Sequence, residues 1–343
     1  MELLNNQKVG KQRLLKTILF GLFLLLSSTA KADEGGVSFW IPGFYGSLAA
    51  APLQPGFSFT SLYYHPQISA GEEVAFARQV PAAHIKSKFT GNADMRLDAS
   101  ADLLFLIPSY TFERTLFKGQ ANIALALPYG RSKANVNSTI SGTFGLGRGF
   151  TFGRARSDEV VGISDFATLF NLRWNFGVHN LMTYIVGNIP VGVYDPKNLT
   201  NLGLNHESID SGGGYTYFNK TTGREFSAVV GFTYNFPNSS TQYQNGIDAH
   251  MDWSASQFLN EKIQFGAVGY AYQQLSCDSG EGAHTGCFKS HVLSVGPQIG
   301  YIIPGKTHQA YINLKGYKEF EADHRAHGWN AWLTLSITPV ANR

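Results

Sequence analysis

The feature that most limits what this chain can become is a period of two. In "REFSAVVGFTYNF" (224–236), Phe226, Ala228, Val230, Phe232, Tyr234 and Phe236 fall on one parity, with Glu225, Ser227, Gly231, Thr233 and Asn235 on the other. "HQAYINLKGYKEF" (308–320) sets Ala310, Ile312 and Leu314 against Tyr311, Asn313, Lys315, Tyr317 and Glu319. "NAWLTLSITP" (330–339) sets Ala331, Leu333, Leu335 and Ile337 against Trp332, Thr334, Ser336 and Thr338. Successive side chains of a β-strand point to opposite faces, so each run reads as a strand with one apolar and one polar face. Twelve such segments follow one another, near 56–66, 95–114, 119–135, 160–176, 179–193, 205–218, 224–237, 244–257, 262–275, 290–303, 308–320 and 328–340. The alternation is weakest in the first two and in 205–218.

The connections also alternate. Those at 115–118, 177–178, 219–223, 258–261 and 304–307 are short, and those between are longer, including 136–159. An even strand count with short turns at one end and long loops at the other is the requirement of a membrane-spanning barrel. A soluble sandwich has no need of it. Composition agrees. Charged residues are 15% of the chain against a usual quarter, aromatics are 13%, and glycine occurs 37 times. No stretch after residue 32 is apolar enough for a spanning helix. The fold class expected is therefore all-β, a transmembrane antiparallel outer-membrane β-barrel of about twelve strands. Tyr63, Tyr64, Tyr110, Phe112, Trp174, Phe176, Tyr234, Phe236, Tyr301 and Trp329 fall toward strand ends, where amphipathic rings suit the lipid–water interfaces.

Residues 1–32 read as a secretory leader. Lys8, Lys11, Arg13 and Lys16 precede the short apolar run Ile18–Leu26, and an Ala-x-Ala pattern places cleavage near Ala32. The leader holds five of the 27 basic and one of the 24 acidic residues. The remainder thus carries 22 and 23, a net −1, and no basic stripe argues for nucleic acid. Residues 33–55, rich in Gly, Pro and aromatics, form an N-terminal extension or a plug entering the barrel of 56–343. The sequence leaves both open.

"NGIDAHMDWSAS" (245–256) places Asp248, His250, Asp252 and Ser254 on one parity and Met251 and Trp253 on the other. If the apolar face meets lipid, the acidic row faces the lumen. Closing the hairpin over 238–243 puts Thr233 opposite Asp248, Gly231 opposite His250 and Val229 opposite Asp252, all on the polar parity of 224–237. The row is read as hydrated pore lining that sets electrostatic preference. Charge is then expected to be tolerated at His250 and not at Met251. A metal site lacks a second His or Cys to complete it. A hydrolytic site lacks a serine beside His250, since Ser254 lies roughly 13 Å up the strand. Further pore-lining candidates are Asp165, Arg173, Glu225, Lys315 and Glu319, with Arg173 and Lys315 read as able to pair with acids across the lumen. Cys277 and Cys287, the only cysteines, share one outer loop and are expected to form a disulfide.

Residues 222–259, "VGYAYQQLSCDSG" (268–280), "VGPQIGYIIP" (295–304) and "GYKEFEADHRAHGWNAWLTLSITP" (316–339) carry a resemblance to a known family. They are similar to the outer-membrane proteins of the meta-pathway phenol-degradation family, often called transporters, with a sphingosine-responsive branch. A related functional-amyloid secretion porin implies twelve strands and an N-terminal plug. Where members show Gly-x-Gly-Asp, only Gly162 and Asp165 match. The resemblance implies passage of small, often hydrophobic or aromatic compounds, and not phenol degradation itself. The expected function is passive uptake by a non-enzyme without cofactor or metal. Its partners would be outer-membrane lipid, the barrel-assembly machinery and a small-molecule substrate. The rivals are a pore that secretes a polypeptide and a barrel-embedded lipid hydrolase.

Overall fold

The computed structural model describes residues 39–71, 90–144, 148–283, 287 and 289–340. The leader of 1–32 lies outside them. Thirteen strands form one antiparallel sheet: β1 (Gly56–Ala70), β2 (Thr90–Leu116), β3 (Gly119–Phe144), β4 (Arg148–Ile163), β5 (Phe166–Phe176), β6 (His179–Ile189), β7 (Ser208–Asn219), β8 (Arg224–Asn235), β9 (Asp248–Phe258), β10 (Ile263–Gln274), β11 (His291–Ile303), β12 (His308–Asp323) and β13 (His327–Pro339). Each strand pairs with its sequence neighbours, except that β4 and β5 both pair with β3 and not with each other, and β1 pairs with both β2 and β13, so the sheet closes on itself.

The wall has twelve staves, because β4 and β5 share one. β3 pairs with β5 along 120–126 and with β4 along 129–144. The two residues between, Ser164 and Asp165, interrupt the stave, and the register steps by one residue there. The expected segment 160–176 is thus two strands. The expected outer loop 136–159 is mostly strand, because β3 and β4 continue as a tall hairpin. Their exposed side carries Arg131 paired with Glu159 at 2.6 Å, and their other, half-buried side carries Arg156 paired with Asp158 at 2.6 Å. Charges of this density belong above the lipid.

Below that level the outer surface is apolar. Phe232, Ile299, Leu314 and Leu333 are about half exposed, and their same-face neighbours Val230, Tyr301, Ile312 and Leu335 are exposed as well. Every backbone group in hydrocarbon needs a partner, and closure supplies one without a free edge. Tyr110 meets Phe112, and Tyr234 meets Phe236, as edge-to-face pairs with centroids 5.2 and 5.1 Å apart. Tyr64 departs from the expected belt. It points inward and its ring lies 4.1 Å from that of the fully buried Trp332.

Residues 39–55 run inside the barrel rather than beside it, entering from the end that carries the short turns. At the other end, the loops 236–247 and 275–290 are tied together. Asp278 accepts from the Gly246 amide at 2.9 Å and from the Tyr243 hydroxyl, and Cys277 is bonded to Cys287.

Two outcomes follow for stability. Met251→Arg, like Val230→Arg on the adjoining strand, should cost roughly 2–4 kcal/mol in urea unfolding from bilayers if its level is near mid-membrane. Cys277→Ser should loosen the loop, losing roughly 2–3 kcal/mol of local order. It should leave heat-modifiable mobility of the barrel on gels intact; failure of the barrel to assemble would show the loop to be part of the wall's folding.

Candidate functional site

The β8–β9 hairpin has the register read from its alternation. Thr233 opposes Asp248, Gly231 opposes His250, and Val229 opposes Asp252. Glycine at 231 is required by what stands in front of it: a Cβ there would lie 2.0 Å from the Tyr184 hydroxyl and 2.6 Å from His250 Nε2. His250 Nε2 in turn contacts the carboxylate of Asp210 at 2.9 Å, and the Thr233 hydroxyl donates to the same oxygen at 2.6 Å. Asp248 accepts from the Tyr272 hydroxyl at 2.7 Å and from Asn235 at 3.0 Å.

The row faces inward, but it is not hydrated. The side chains of His250 and Asp210 are fully buried. Trp40, from the N-terminal segment, stacks flat on His250 with ring centroids 4.0 Å apart. An arginine at 250 has no water to enter, so the expected tolerance of charge there does not hold. Met251, by contrast, stands on the exposed face.

Asp252 and Lys315 grip one turn between them. "IPGF" (41–44) closes with the Phe44 amide donating to the Ile41 carbonyl at 3.2 Å, and Gly43 has φ +89°. Pro before Gly at these positions suits a type II turn, whose third residue needs positive φ. Asp252 accepts from the amides of Gly43 and Tyr45 at 2.8 and 3.1 Å. Lys315 donates to the carbonyls of Gly43, Phe44 and Tyr45 at 2.7, 3.3 and 3.3 Å. The expected pairing of Lys315 with an acid across the lumen is therefore mediated by peptide groups. Glu225 continues the pattern, accepting from the Leu48 amide at 3.0 Å and the Ser47 hydroxyl at 2.9 Å. Ser254 donates to Glu225, not to His250. Glu319 accepts from the Tyr270 hydroxyl at 2.8 Å and the Gly328 amide at 2.6 Å. Asp165 accepts from the amides of Gly192 and Leu204, each at 2.8 Å. Arg173 donates to the Ala51 carbonyl at 2.6 Å and to Asn171 at 3.0 Å, with no acid as partner among the described residues. No group of three or more His, Cys, Asp or Glu suited to a metal occurs among the described residues.

The segment 39–55 packs mainly against β6 to β10, with further contacts to Lys315 on β12, Trp332 on β13 and Arg173 on β5, and leaves part of the lumen beside β1, β2, β3 and β5 open. That space is a cavity of about 620 Å³. Its middle and outer part is walled by Leu62, Leu103, Phe105, Ile107, Ala126 and Leu169. Toward the short turns the wall becomes polar, with Ser58, Asn122, Asn171, Arg173, Tyr311 and Ser336. The inward row of one stave, Asp165, Ala167, Leu169, Asn171 and Arg173, records the whole gradient. The apolar chamber and the acid at Asp210 are absent from the reading of the sequence. A signal for the chamber exists: "LLFLIP" (103–108) is continuously apolar, and such a run marks a strand with apolar surroundings on both faces.

The family described as "Putative MetA-pathway of phenol degradation" matches residues 82–335. The chain belongs to it. The chain matches no curated protein. It is similar to the crystal structure of an outer membrane channel from Pseudomonas putida F1, at 12% identity and a TM-score of 0.60, over 85% of this chain and 98% of that one. It also aligns with a FadL homologue from Pseudomonas aeruginosa, at 9% identity and a TM-score of 0.41, over 91% and 97%. The fold is that of an outer-membrane channel, and with its apolar belt the outer membrane is its place.

The grip on the turn is open to test. Asp252→Asn removes charge from two hydrogen bonds to 43–45 and should weaken docking of the segment by roughly 2–4 kcal/mol. In planar bilayers the variant should show a larger or noisier conductance than the parent, with unchanged barrel content by circular dichroism. Adding Lys315→Met should give less than the sum of the two single effects, because both act on one turn.

Proposed function

We propose that this protein is a passive channel through which small hydrophobic or aromatic compounds cross the outer membrane. The route is the cavity between residues 39–54 and the staves β1, β2, β3, β5, β12 and β13. The observation that carries this reading is the apolar chamber. A lumen meant for ions or sugars would be polar and wet throughout, whereas here Leu103, Phe105, Ile107 and Leu169 line its middle. Its volume of about 620 Å³ lies within the range of sites that enclose a small organic molecule. The polar floor near the short turns offers hydrogen bonds that ease return to water. Membership in a family described by phenol degradation agrees with an aromatic cargo. The pore-lining role falls to Asp165 and Arg173 at the two ends of the chamber. Asp248, His250, Asp252, Glu225 and Glu319 instead line the space that the segment 39–55 or its supports occupy, and Lys315 stands between the two, bonded to residues 43–45 at the edge of the cavity. In this reading 39–55 is a plug, and 1–32 is a leader removed near Ala32.

The polypeptide-secreting alternative needs a wide polar lumen. To open one, residues 39–55 would have to leave the lumen, breaking the hydrogen bonds that Asp252, Glu225 and Lys315 make to their backbone. The test is obstruction of the chamber. Ala126→Trp puts an indole into the apolar middle and should lower the initial rate of uptake of an aromatic hydrocarbon into proteoliposomes by roughly tenfold or more. That factor corresponds to an added barrier of about 1.4 kcal/mol. Unchanged uptake in a correctly folded variant would move the route elsewhere.

A further inference from the structure

We propose that the floor of this cavity is a carboxylate-binding site, and that the preferred cargo is a small amphiphilic monocarboxylate with one apolar or aromatic body and one acid group. This rests on the channel reading above and names its substrate class.

The argument begins with Arg173. A guanidinium has five N–H donors and stays charged. Here Nε donates to Asn171 and one terminal nitrogen to the Ala51 carbonyl, both neutral acceptors. No carboxylate of a described residue lies within 4.0 Å of it, although Arg96 and Arg131 on the exterior and the half-buried Arg156 all have acidic partners. Arg173 stands in the cavity wall and keeps donors uncommitted. A charge withdrawn from water without a counter-charge is costly, and it is retained where a ligand supplies the missing partner.

A second group points the same way. The Tyr45 hydroxyl is buried, has no hydrogen-bond partner, lines the same cavity and lies within electrostatic reach of Arg173. A buried orphan donor is rare in a folded chain. One carboxylate seated at the floor would answer to the guanidinium and could draw this hydroxyl as well.

The acids of the lumen do not compete. Glu225 and Asp252 do not line the cavity; their oxygens are committed to Leu48, Ser47, Gly43 and Tyr45. Asp165 lies eight residues up the stave, roughly 26 Å away, and is committed to the amides of Gly192 and Leu204. The remaining charged group of the lining, Lys315, adds positive charge, so the cavity carries two cations and one acid. The ligand's other half is set by what stands next to the floor. Leu169 is four residues above Arg173, roughly 13 Å along the strand, with Ala124 opposite it on β3 and Ile107 in the same lining. That distance suits a phenylalkanoate or a medium-chain fatty acid, with the acid down and the apolar body in the chamber. Bidentate geometry favours a carboxylate over a neutral hydroxyl at a guanidinium.

The experiment uses the refolded full-length mature chain in detergent and compares four probes by calorimetry: 4-phenylbutyrate, 4-phenylbutan-1-ol, 4-phenylbutylamine and acetate. The parent should bind the carboxylate roughly tenfold or more tightly than the alcohol and the amine, and acetate should bind far more weakly than phenylbutyrate. In Arg173→Gln the preference should shrink to about threefold or less, and Arg173→Lys should restore part of it. Equal affinity of the parent for alcohol and carboxylate would overturn the proposal, and that comparison needs no variant to fold. A preference kept in Arg173→Gln would overturn the role of Arg173. Acetate binding as tightly as phenylbutyrate would reduce the site to a simple anion site. Passage of 4-phenylbutan-1-ol into proteoliposomes reads the channel function separately: a neutral compound that crosses without any carboxylate preference leaves the channel standing and removes only the present proposal.

Discussion

The whole molecule depends on one demand, that no backbone amide or carbonyl be left bare in hydrocarbon. Meeting it with strands forces the sheet to close, and closing twelve staves creates an interior that side chains alone do not fill. That interior is the second problem this chain has to solve. It does so with its own main chain. Asp252, Lys315 and Glu225 are buried charges whose partners are the amides and carbonyls of residues 43–48. The segment supplies donors and acceptors at the same turn, so a negative and a positive group can both be satisfied there without touching each other.

Much of this architecture was legible in the sequence, for a physical reason. Alternation appears where the two faces of a strand meet different media, as in Arg224–Asn235 and His327–Pro339. The β8–β9 register followed from the turn over 238–243 together with the matching parity of the two strands. Alternation fades on β2, where Leu103, Phe105 and Ile107 face an apolar chamber and Leu104 and Leu106 face lipid, so both parities look alike. The β3–β4 hairpin above the membrane was read as loop because its strands carry charge on their exposed faces and no apolar period. The direction of Asp248, His250 and Asp252 was readable, but their surroundings were not. What covers them is a tryptophan and a turn about two hundred residues earlier in the chain, and local pattern carries no information at that range. Tyr45 and Asp210 were invisible on the same ground.

Filling only one side of the lumen has an effect on selectivity. The segment 39–55 converts a round bore into a crescent. One wall of the crescent is the rigid barrel, and the other is a strip held by a few charge-assisted bonds. On the proposed route, size discrimination would rest on the strip, and chemical discrimination on the stave that runs from Asp165 to Arg173.

The position of the segment before β1 also has consequences for assembly. Gly43 and Asp252 are separated by 209 residues, and Lys315 reaches back further still. The interior strip emerges from the ribosome before any strand of the wall, yet its seat does not exist until β9 and β12 stand in the wall. Contacts of such long range are formed late, since the entropy of ordering the intervening chain is paid before they reward it. The strip therefore settles at the end of folding, at about the stage when the seam between β1 and β13 closes. A chain arrested before that point would be an open sheet with its lumen acids and Lys315 unpartnered. Completion of the barrel is thus marked from inside by a segment that precedes every strand of the wall.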